Sequence, residues 1–405
     1  MALKQTADEL IPDLRRYQTP LLIAGVVGLA VSAIGWVVEP TQFYQSYLMA
    51  YMLWLGITLG CLGFGMIHQL SGGAWGVVIR RPIGAAARTL PLITLLFVPI
   101  VIGMGHLYSW THADIVLHDE ALQAKHGYLN VPFFLIRAAF YFIGWNALSY
   151  FLNKWSLEQD RTADPRIALR MQRTSAGGLV FYGLTITFAS FDWLMSLEPH
   201  WYSTIYGAII IAGQGLAALA FLVLVLVWLS NRPPLDTIVV KAHFHDLGNL
   251  TLAFVMLWAY FAFSQYLIIW SGNLPAEIKW YASRMQGGWR AIGAALIVFH
   301  FALPFVFLLS RTVKREGRLI ARLMIAILLA RVLDLFWLIA PTFHTSGIVV
   351  SWLDVLLPLA MGALWLAYFV AQLRGRPILP VHDPQFDEAL GHLIQRGGER
   401  PSPAH

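Results

Sequence analysis

Phe191–Gly207 reads FDWLMSLEPHWYSTIYG. An apolar run that carries one acid, Asp192, breaks at Glu198-Pro199-His200 and resumes through Trp201, Tyr202 and Tyr206. This is the pattern of one span leaving hydrocarbon and the next re-entering it. A carboxylate inside such a run costs a few kcal/mol, so Asp192 is by default a candidate functional residue. The competing reading is a buried acid paired with a base only to fix helix packing.

The rest of the chain agrees with a bilayer setting. Of 405 residues, 58% are hydrophobic and 12% charged, with mean hydropathy +0.62. A soluble domain of this length could not hide so much apolar side chain. The 16 Trp, 15 Tyr and 24 Phe suit interfacial belts and packed membrane cores. Ten runs approach the ~20 residues that cross ~30 Å of hydrocarbon. They fall near Thr19–Val38, Phe43–Ile67, Thr89–Tyr108, Val131–Leu152, Ala176–Met195, Ser203–Leu229, Leu247–Trp270, Ala291–Leu309, Leu319–Ala340 and Val349–Leu373. The expected fold is an all-α integral membrane protein with ten transmembrane helices spanning 19–373. An amphipathic, charged N-terminal segment (1–18) precedes it, without a cleavable signal pattern, and a polar tail (374–405) follows.

Orientation follows from the cations. The termini and the loops on their side carry 22 of the 28 Lys and Arg, the opposite loops carry four, and Arg137 and Arg331 lie within spans. Positive residues remain cytoplasmic, so both termini are expected inside. This places His106, Asp192, Ser264, Gln265, Arg137 and Asp354 toward the outer face. Arg331 and Asp334 fall at middle to outer depth, and His300 near the middle.

Local spacing groups these residues further. Arg331 and Asp334 share a helical face, as do Arg137 and Tyr141, Tyr260 and Ser264, and Thr185, Asp192 and Ser196. Prolines at 91, 99, 304, 341 and 358 are expected to break helices. Pro304 follows His300 by four and Pro358 follows Asp354 by four, freeing a carbonyl beside an ionisable group. LDLFWLIAPTFHTSG (Leu333–Gly347) echoes Phe191–Gly207, with Asp334 on Asp192 and Pro341 on Pro199. Two parallel bundles, about 43–195 and 203–340, with the first and last spans peripheral, would explain the echo.

The start of the seventh span, KAHFHDLGNL, has two readings. It is a helix start with Asp246 as cap and Lys241, His243 and His245 at the headgroups, or His243, His245 and Asp246 form a proton-collecting mouth. A zinc site fits poorly, because His243 and His245 point apart on a helix. The lone Cys61 allows no internal disulfide and no haem attachment. The histidines do not pair at one depth as haem ligands would. There is no Walker loop, dinucleotide fingerprint or nucleophile elbow, and nothing that points to nucleic acid. The acidic loop with His112, Asp114, His118, Asp119 and Glu120 is either a docking surface or a solvated one.

HFHDLGNLTLAFVMLWAYFAFSQYLIIWSGNLPAEIKWY (His243–Tyr281), together with FDWLMSLEPHWYSTIYG, resembles the F subunit of bacterial alternative complex III, over all ten spans. That family is related to polysulfide-reductase and nitrite-reductase type membrane anchors of two four-helix bundles. The resemblance implies a bacterial inner-membrane complex that oxidises menaquinone or another quinol and reduces a cytochrome c or copper protein. It implies a sister quinone-binding membrane subunit, a peripheral iron–sulfur subunit, c-type cytochrome subunits and small membrane subunits, with lipid around them. Iron–sulfur clusters and c-type haems would reside on those partners, and this chain would bind no redox cofactor or metal of its own.

The expected role is therefore a non-haem subunit of a quinol oxidoreductase that contributes a proton path. Asp192, Asp334, Asp354, His106 and His300 would be its protonation sites. Arg137 and Arg331 would supply the nearby positive charge that keeps buried carboxylates usable. His243, His245 and Asp246 would form the inner entrance. Tyr260, Ser264, Gln265, Glu198 and His200 are candidates to line a quinone headgroup. The competing classes are a pure scaffold of the same complex and a free-standing ion or solute transporter.

Overall fold

Glycine spacing decides how the middle of this molecule packs. Gly56 and Gly60 are four apart on one face of an apolar helix, the small-xxx-small pattern that lets two backbones approach closely. In the computed structural model, which describes residues 14–162, 164–232, 235–380 and 386, that face meets Gln214 and Ala218 of another helix. A Cβ on Gly60 would lie 2.5 Å from the Gln214 carbonyl oxygen and 2.6 Å from Ala218 Cβ. Only a bare backbone fits there.

Ten helices are long and apolar enough to cross a membrane, and each expected run overlaps one of them; three runs overreach, the third past Ile102, the sixth before Tyr206 and the tenth before Leu353. They are α1 (Arg16–Val38), α2 (Pro40–Ser71), α3 (Arg80–Ile102), α4 (Val131–Thr162) and α5 (Pro165–Leu197). The others are α6 (Tyr206–Leu229), α7 (Lys241–Gly272), α8 (Trp289–Leu309), α9 (Gly317–Thr342) and α10 (Leu353–Leu373). The described residues are all-helical, without β-strands, and the chain is a multi-pass membrane protein. At about 1.5 Å per residue, the 32 residues of α2, α4 and α7 reach well past ~30 Å of hydrocarbon. Their ends project into the headgroups.

α2 and α6 form the centre, packed against each other. α2 also contacts α3 and α5, and α4 packs on α5. The same pattern recurs around α6, which contacts α7 and α9, while α8 packs on α7 and α9. α10 lies along α2, and α1 lies antiparallel on α10, where Gly25 meets Leu364 and Gly28 meets Ala360. The outward surface is apolar: Val37, Ile143, Val180, Ile268 and Leu329 are each more than 60% exposed, as a lipid-facing surface requires. Most of the N-terminal segment 1–18 and of the tail 374–405 lies outside the described residues.

Pro91, Pro99, Pro304 and Pro341 stand at helix interruptions, whereas Pro358, also expected to break its helix, lies inside the continuous helix Leu353–Leu373. α3 is divided into Arg80–Ala87, Leu90–Leu95 and Val98–Ile102, with Pro91 and Pro99 in the first turns of the later pieces. At the second break Ile100 N–H turns back to the Phe97 carbonyl, and the Leu96 carbonyl accepts the Tyr47 hydroxyl at 2.8 Å. α8 winds into a π-helical turn over Ile297–Ala302, just before Pro304, with His300 in it. α5 and α9 both end in 3₁₀ turns, Met195–Leu197 and Ala340–Thr342, though out of the register that aligns Asp192 with Asp334.

Gly60→Leu should force α2 and α6 apart and cost at least the ~1–3 kcal/mol of ordinary overpacking. Gly177→Leu, at a site with nothing within 4 Å, should be tolerated. Yield of monodisperse protein by size-exclusion chromatography in detergent separates the two.

Candidate functional site

The face opposite the chain ends (the far face) collects most of the ionisable residues singled out in the sequence, and does so in three groups. The first lies between α4 and α5. Arg137 Nε donates to Asp192 Oδ2 at 2.9 Å, Arg137 Nη2 to Oδ1 at 2.8 Å, and the Tyr141 hydroxyl to Oδ2 at 2.9 Å. Asp192 is 0% exposed. Its backbone carbonyl accepts Ser196 Oγ at 2.5 Å, so the predicted common face is real. The guanidinium is held between the rings of Tyr128 (3.8 Å to the centroid) and Phe133 (4.3 Å), an arrangement Arg favours. Arg137 Nη1 also reaches the Tyr128 carbonyl. This is a bidentate, aromatic-clad clasp with every strong acceptor site of the carboxylate engaged.

The second group joins α10 to α2. Asp354 accepts from Ser46 Oγ at 2.6 Å, Gln42 Nε2 at 3.3 Å and the Ser351 N–H at 2.8 Å, and Gln42 Oε1 contacts His344 Nε2 at 3.1 Å. Its donors are neutral groups. His106 lies close by but is exposed, stacked on Tyr44 with its Nδ1 3.5 Å from Thr41 Oγ1. It therefore belongs to the surface rather than to a buried path, because α3 has already ended at Ile102.

The third group is a polar column among α6–α9. At its outer end Glu198 Oε1 accepts from Arg284 Nη2 at 2.8 Å and from Thr342 Oγ1 at 3.0 Å. Arg284 is 1% exposed. It stacks over Trp280 at 3.7 Å and donates to the Leu338 carbonyl. Burial pulls its guanidinium below the usual range, and the Glu198 carboxylate opposes that pull. Tyr206, 2% exposed, stands within electrostatic reach of Glu198 and Arg284 on one side and of Arg331 and Asp334 on the other. Arg331 pairs with Asp334 on its own helix, as their spacing predicts. The guanidinium lies on Gly213, where a Cβ would come within 2.3 Å of Nη1.

The Trp258 indole stands near Asp334 and packs edge-on against the His300 ring, centroids 4.3 Å apart. Both nitrogens of His300, a side chain with no exposure, have no protein hydrogen-bond partner. Neither do the buried indole nitrogens of Trp201 and Trp337. Buried donors are nearly always satisfied, commonly by ordered water where protein supplies no acceptor. Unpartnered donors also occur in the α2–α5 half, at the Tyr51 hydroxyl and the Trp110 and Trp193 indoles, so what sets the column apart is an imidazole with both nitrogens unpartnered.

The residues offered for a quinone headgroup are dispersed. Gln265 is buried, accepting from Ser203 Oγ at 2.9 Å and contacting the Tyr281 hydroxyl at 3.3 Å. Burial pushes the Tyr281 phenol up to about 12, against the opposing effect of Gln265. Ser264 is half-buried, and Tyr260, 64% exposed, faces outward. Glu198 belongs to the Arg284 pair, and His200 is drawn out to Asp119 at 2.6 Å. The acidic loop is thus fastened to the chain's own turn: Asp119 also caps Glu120–Lys125 through the Ala121 and Leu122 N–H groups, and Lys125 Nζ reaches the Pro199 carbonyl.

At the terminal face, the α7 start is capped otherwise than expected. Val240 is the N-cap, and its N–H donates to His243 Nδ1 at 3.2 Å. Asp246 is a turn and a half inside, too deep to serve the free N–H groups. His245 is half-buried among Lys314, Arg315 and Arg311 with Asp246 beside it. A proton entrance here has to work against that positive field.

Sequence reasoning missed Arg284, Trp258, Tyr206 and the Gln42–Ser46–His344 set. Arg284 had a signal, Trp280 four residues earlier in WYASR. The others are ordinary apolar-helix residues until their neighbours are known. No protein-family model matches this sequence, and no curated protein matches it.

Breaking the α4–α5 clasp at one partner, by Arg137→Gln or Asp192→Asn, should cost about 3–5 kcal/mol, because the other charge or its donors are stranded. Combining Arg137→Met with Asp192→Leu should recover much of the loss, read as folded yield and thermal midpoint in detergent. Asp119→Ala should remove the cap of Glu120–Lys125 and speed proteolysis within residues 109–130. The Leu122 N–H is the largest influence holding the Asp119 carboxyl below its usual range, and His200 adds to it. Its stabilising contribution is therefore complete above the unfolded value, about 3.9, and is lost only as pH falls through the lower folded one. The proteolysis rate of wild type should be flat from pH 7 to about 5.

Proposed function

We propose that this chain is a non-haem integral membrane subunit of a bacterial quinol:electron-acceptor oxidoreductase, with both termini cytoplasmic and a proton path in its α6–α9 half. The two motifs that resemble the alternative complex III F subunit support the assignment of the complex. The excess of Lys and Arg on the terminal face supports the orientation. The contact pattern around α2 and around α6 supports two four-helix bundles, α2–α5 and α6–α9. Iron–sulfur and c-type haem carriers would reside on partner subunits, beside a sister quinone-binding membrane subunit.

One observation carries the proton path: the fully buried, unpartnered imidazole of His300 packed on Trp258 within electrostatic reach of Arg331, the partner of Asp334. In this reading His300 and Asp334 are the mid-membrane exchange sites. The Tyr206 hydroxyl and Glu198 carry the proton on to the far face, with Arg284 and Arg331 fixing the carboxylates. The closed hydrogen bonding of Asp192 favours a second role for the α2–α5 half, that of anchor.

His300→Phe and Asp334→Asn in the assembled complex, reconstituted in proteoliposomes, should leave quinol oxidation by uncoupled complex near wild type. Outward proton release per electron should fall by roughly half or more, since removal of a positioned proton-transfer group commonly costs two or more orders of magnitude. If both variants release protons normally, the path is wrong and anchoring alone remains. A chain that purifies alone, without haem-bearing partners, overturns the assignment to the complex.

A further inference from the structure

At the terminal face, away from the groups described above, α2, α3, α4 and α10 enclose two adjoining cavities. The larger, about 50 Å³, is lined by His68, Gln69, Arg80, Asn153 and Ser156 among others. The smaller, about 20 Å³, shares Arg80, Asn153 and Ser156 and adds Arg81, Arg88 and Arg376. A single water needs about 10–15 Å³, so the smaller cavity, which Arg81 and Arg376 line, admits about one oxygen, and the larger, adjoining it at Arg80, Asn153 and Ser156, has room for the rest of a three- or four-oxygen group.

Arg81 is the decisive residue. Its side chain is 8% exposed. Nη1 donates to Ser156 Oγ at 3.1 Å and Nη2 meets Asp160, yet the buried Nε has no protein partner. A guanidinium with an orphaned donor in a cavity wall is a ready half of a charge-assisted contact. Arg376, beyond the end of α10, is pushed down to about 10, first by burial and then by repulsion from Arg81. An anion between the two would relieve that repulsion. Arg88 stands alongside with its Nη2 on the Gln372 carbonyl, and Arg80 reaches Gln159 Oε1 at 3.4 Å.

The depth is informative as well. Arg80 and Arg81 begin α3, and Arg376 follows the last turn of α10, so the cluster lies at headgroup level. Basic pockets between membrane helices at that level suit phosphate-bearing lipids. Guanidinium groups suit phosphate because their forked donors match its oxygens.

We propose that Arg81, Arg376 and the adjoining cavity wall bind a phosphate oxyanion, supplied at this depth by the headgroup of an anionic phospholipid. The site is independent of the proton path and holds whether or not that path is correct.

The test uses the purified full chain, or the complex it co-purifies with, stripped of lipid in detergent. Thermal midpoint and native mass spectrometry are read with added phosphatidylglycerol, phosphatidylcholine or inorganic phosphate. Phosphatidylglycerol should raise the midpoint and remain bound, and phosphatidylcholine should do neither. Arg376→Gln should weaken phosphatidylglycerol binding about tenfold, the loss expected for one hydrogen bond to a charged group. Arg81→Gln should do at least as much. If Arg81→Gln fails to fold for loss of Asp160, Arg376→Gln alone decides. Arg173→Gln, an exposed cation on the same side of the membrane, should have no effect. Equal protection by inorganic phosphate, lost in the same variants, keeps the oxyanion site and identifies the soluble anion as its source. Lipid binding that is the same in Arg376→Gln as in wild type overturns the proposal.

Discussion

A charge in hydrocarbon must find its counter-charge or enough hydrogen bonds before the helix that carries it can stay in place. That constraint organises the far face. Asp192 ties α5 to α4 through Arg137. Glu198, at the end of α5, is tied to Arg284 before α8 and to Thr342 at the end of α9. Asp354 ties α10 to α2 through Ser46 and Gln42. None of these contacts joins sequence neighbours, so each one selects which helices stand together. At mid-depth the selection is made differently, by bare glycine surfaces such as Gly56–Gly60 against α6, where lipid and protein are equally apolar and only fit discriminates.

What the sequence reveals follows from the range of each interaction. Spans are legible because bilayer thickness is an outside ruler, and each of the ten runs overlaps a helix of the right kind. The Arg331–Asp334 pair is legible because three residues along a helix is a fixed geometry. The Arg137–Asp192 clasp is half legible: both residues stand out as costly, but their union is a matter of which helix faces which. His106 and Tyr260 misled for a related reason. Depth can be counted along a span, whereas the side of the helix that meets lipid depends on its neighbours. Arg284 was read as a loop cation because a ten-residue helix, Pro275–Arg284, folds back over the core and buries it.

Proline is used here to place polar atoms. At Pro99 the interrupted ladder leaves the Leu96 carbonyl for the Tyr47 hydroxyl, so a helix break becomes a helix–helix contact. Ahead of Pro304 the chain takes the other solution and widens into a π turn, in which the Leu303 N–H bonds the Val298 carbonyl. Such turns are rare and concentrate at functional positions. This one presents His300 to Trp258.

The two halves therefore resolve the same cost in opposite ways. In α2–α5 the acid is held by a fixed guanidinium and a phenol, and a proton moved onto it would disrupt the bidentate pairing with Arg137. In α6–α9 the acid pairs with a neighbour on its own helix, and His300, packed on Trp258, makes no hydrogen bond to the protein. A saturated network resists change and specifies a fold, whereas one with spare donors can exchange partners without unpacking helices. If protons move through this chain, the unpartnered imidazole of His300 is where partners exchange at least cost, and the bidentate Arg137–Asp192 pair holds α4 and α5 still.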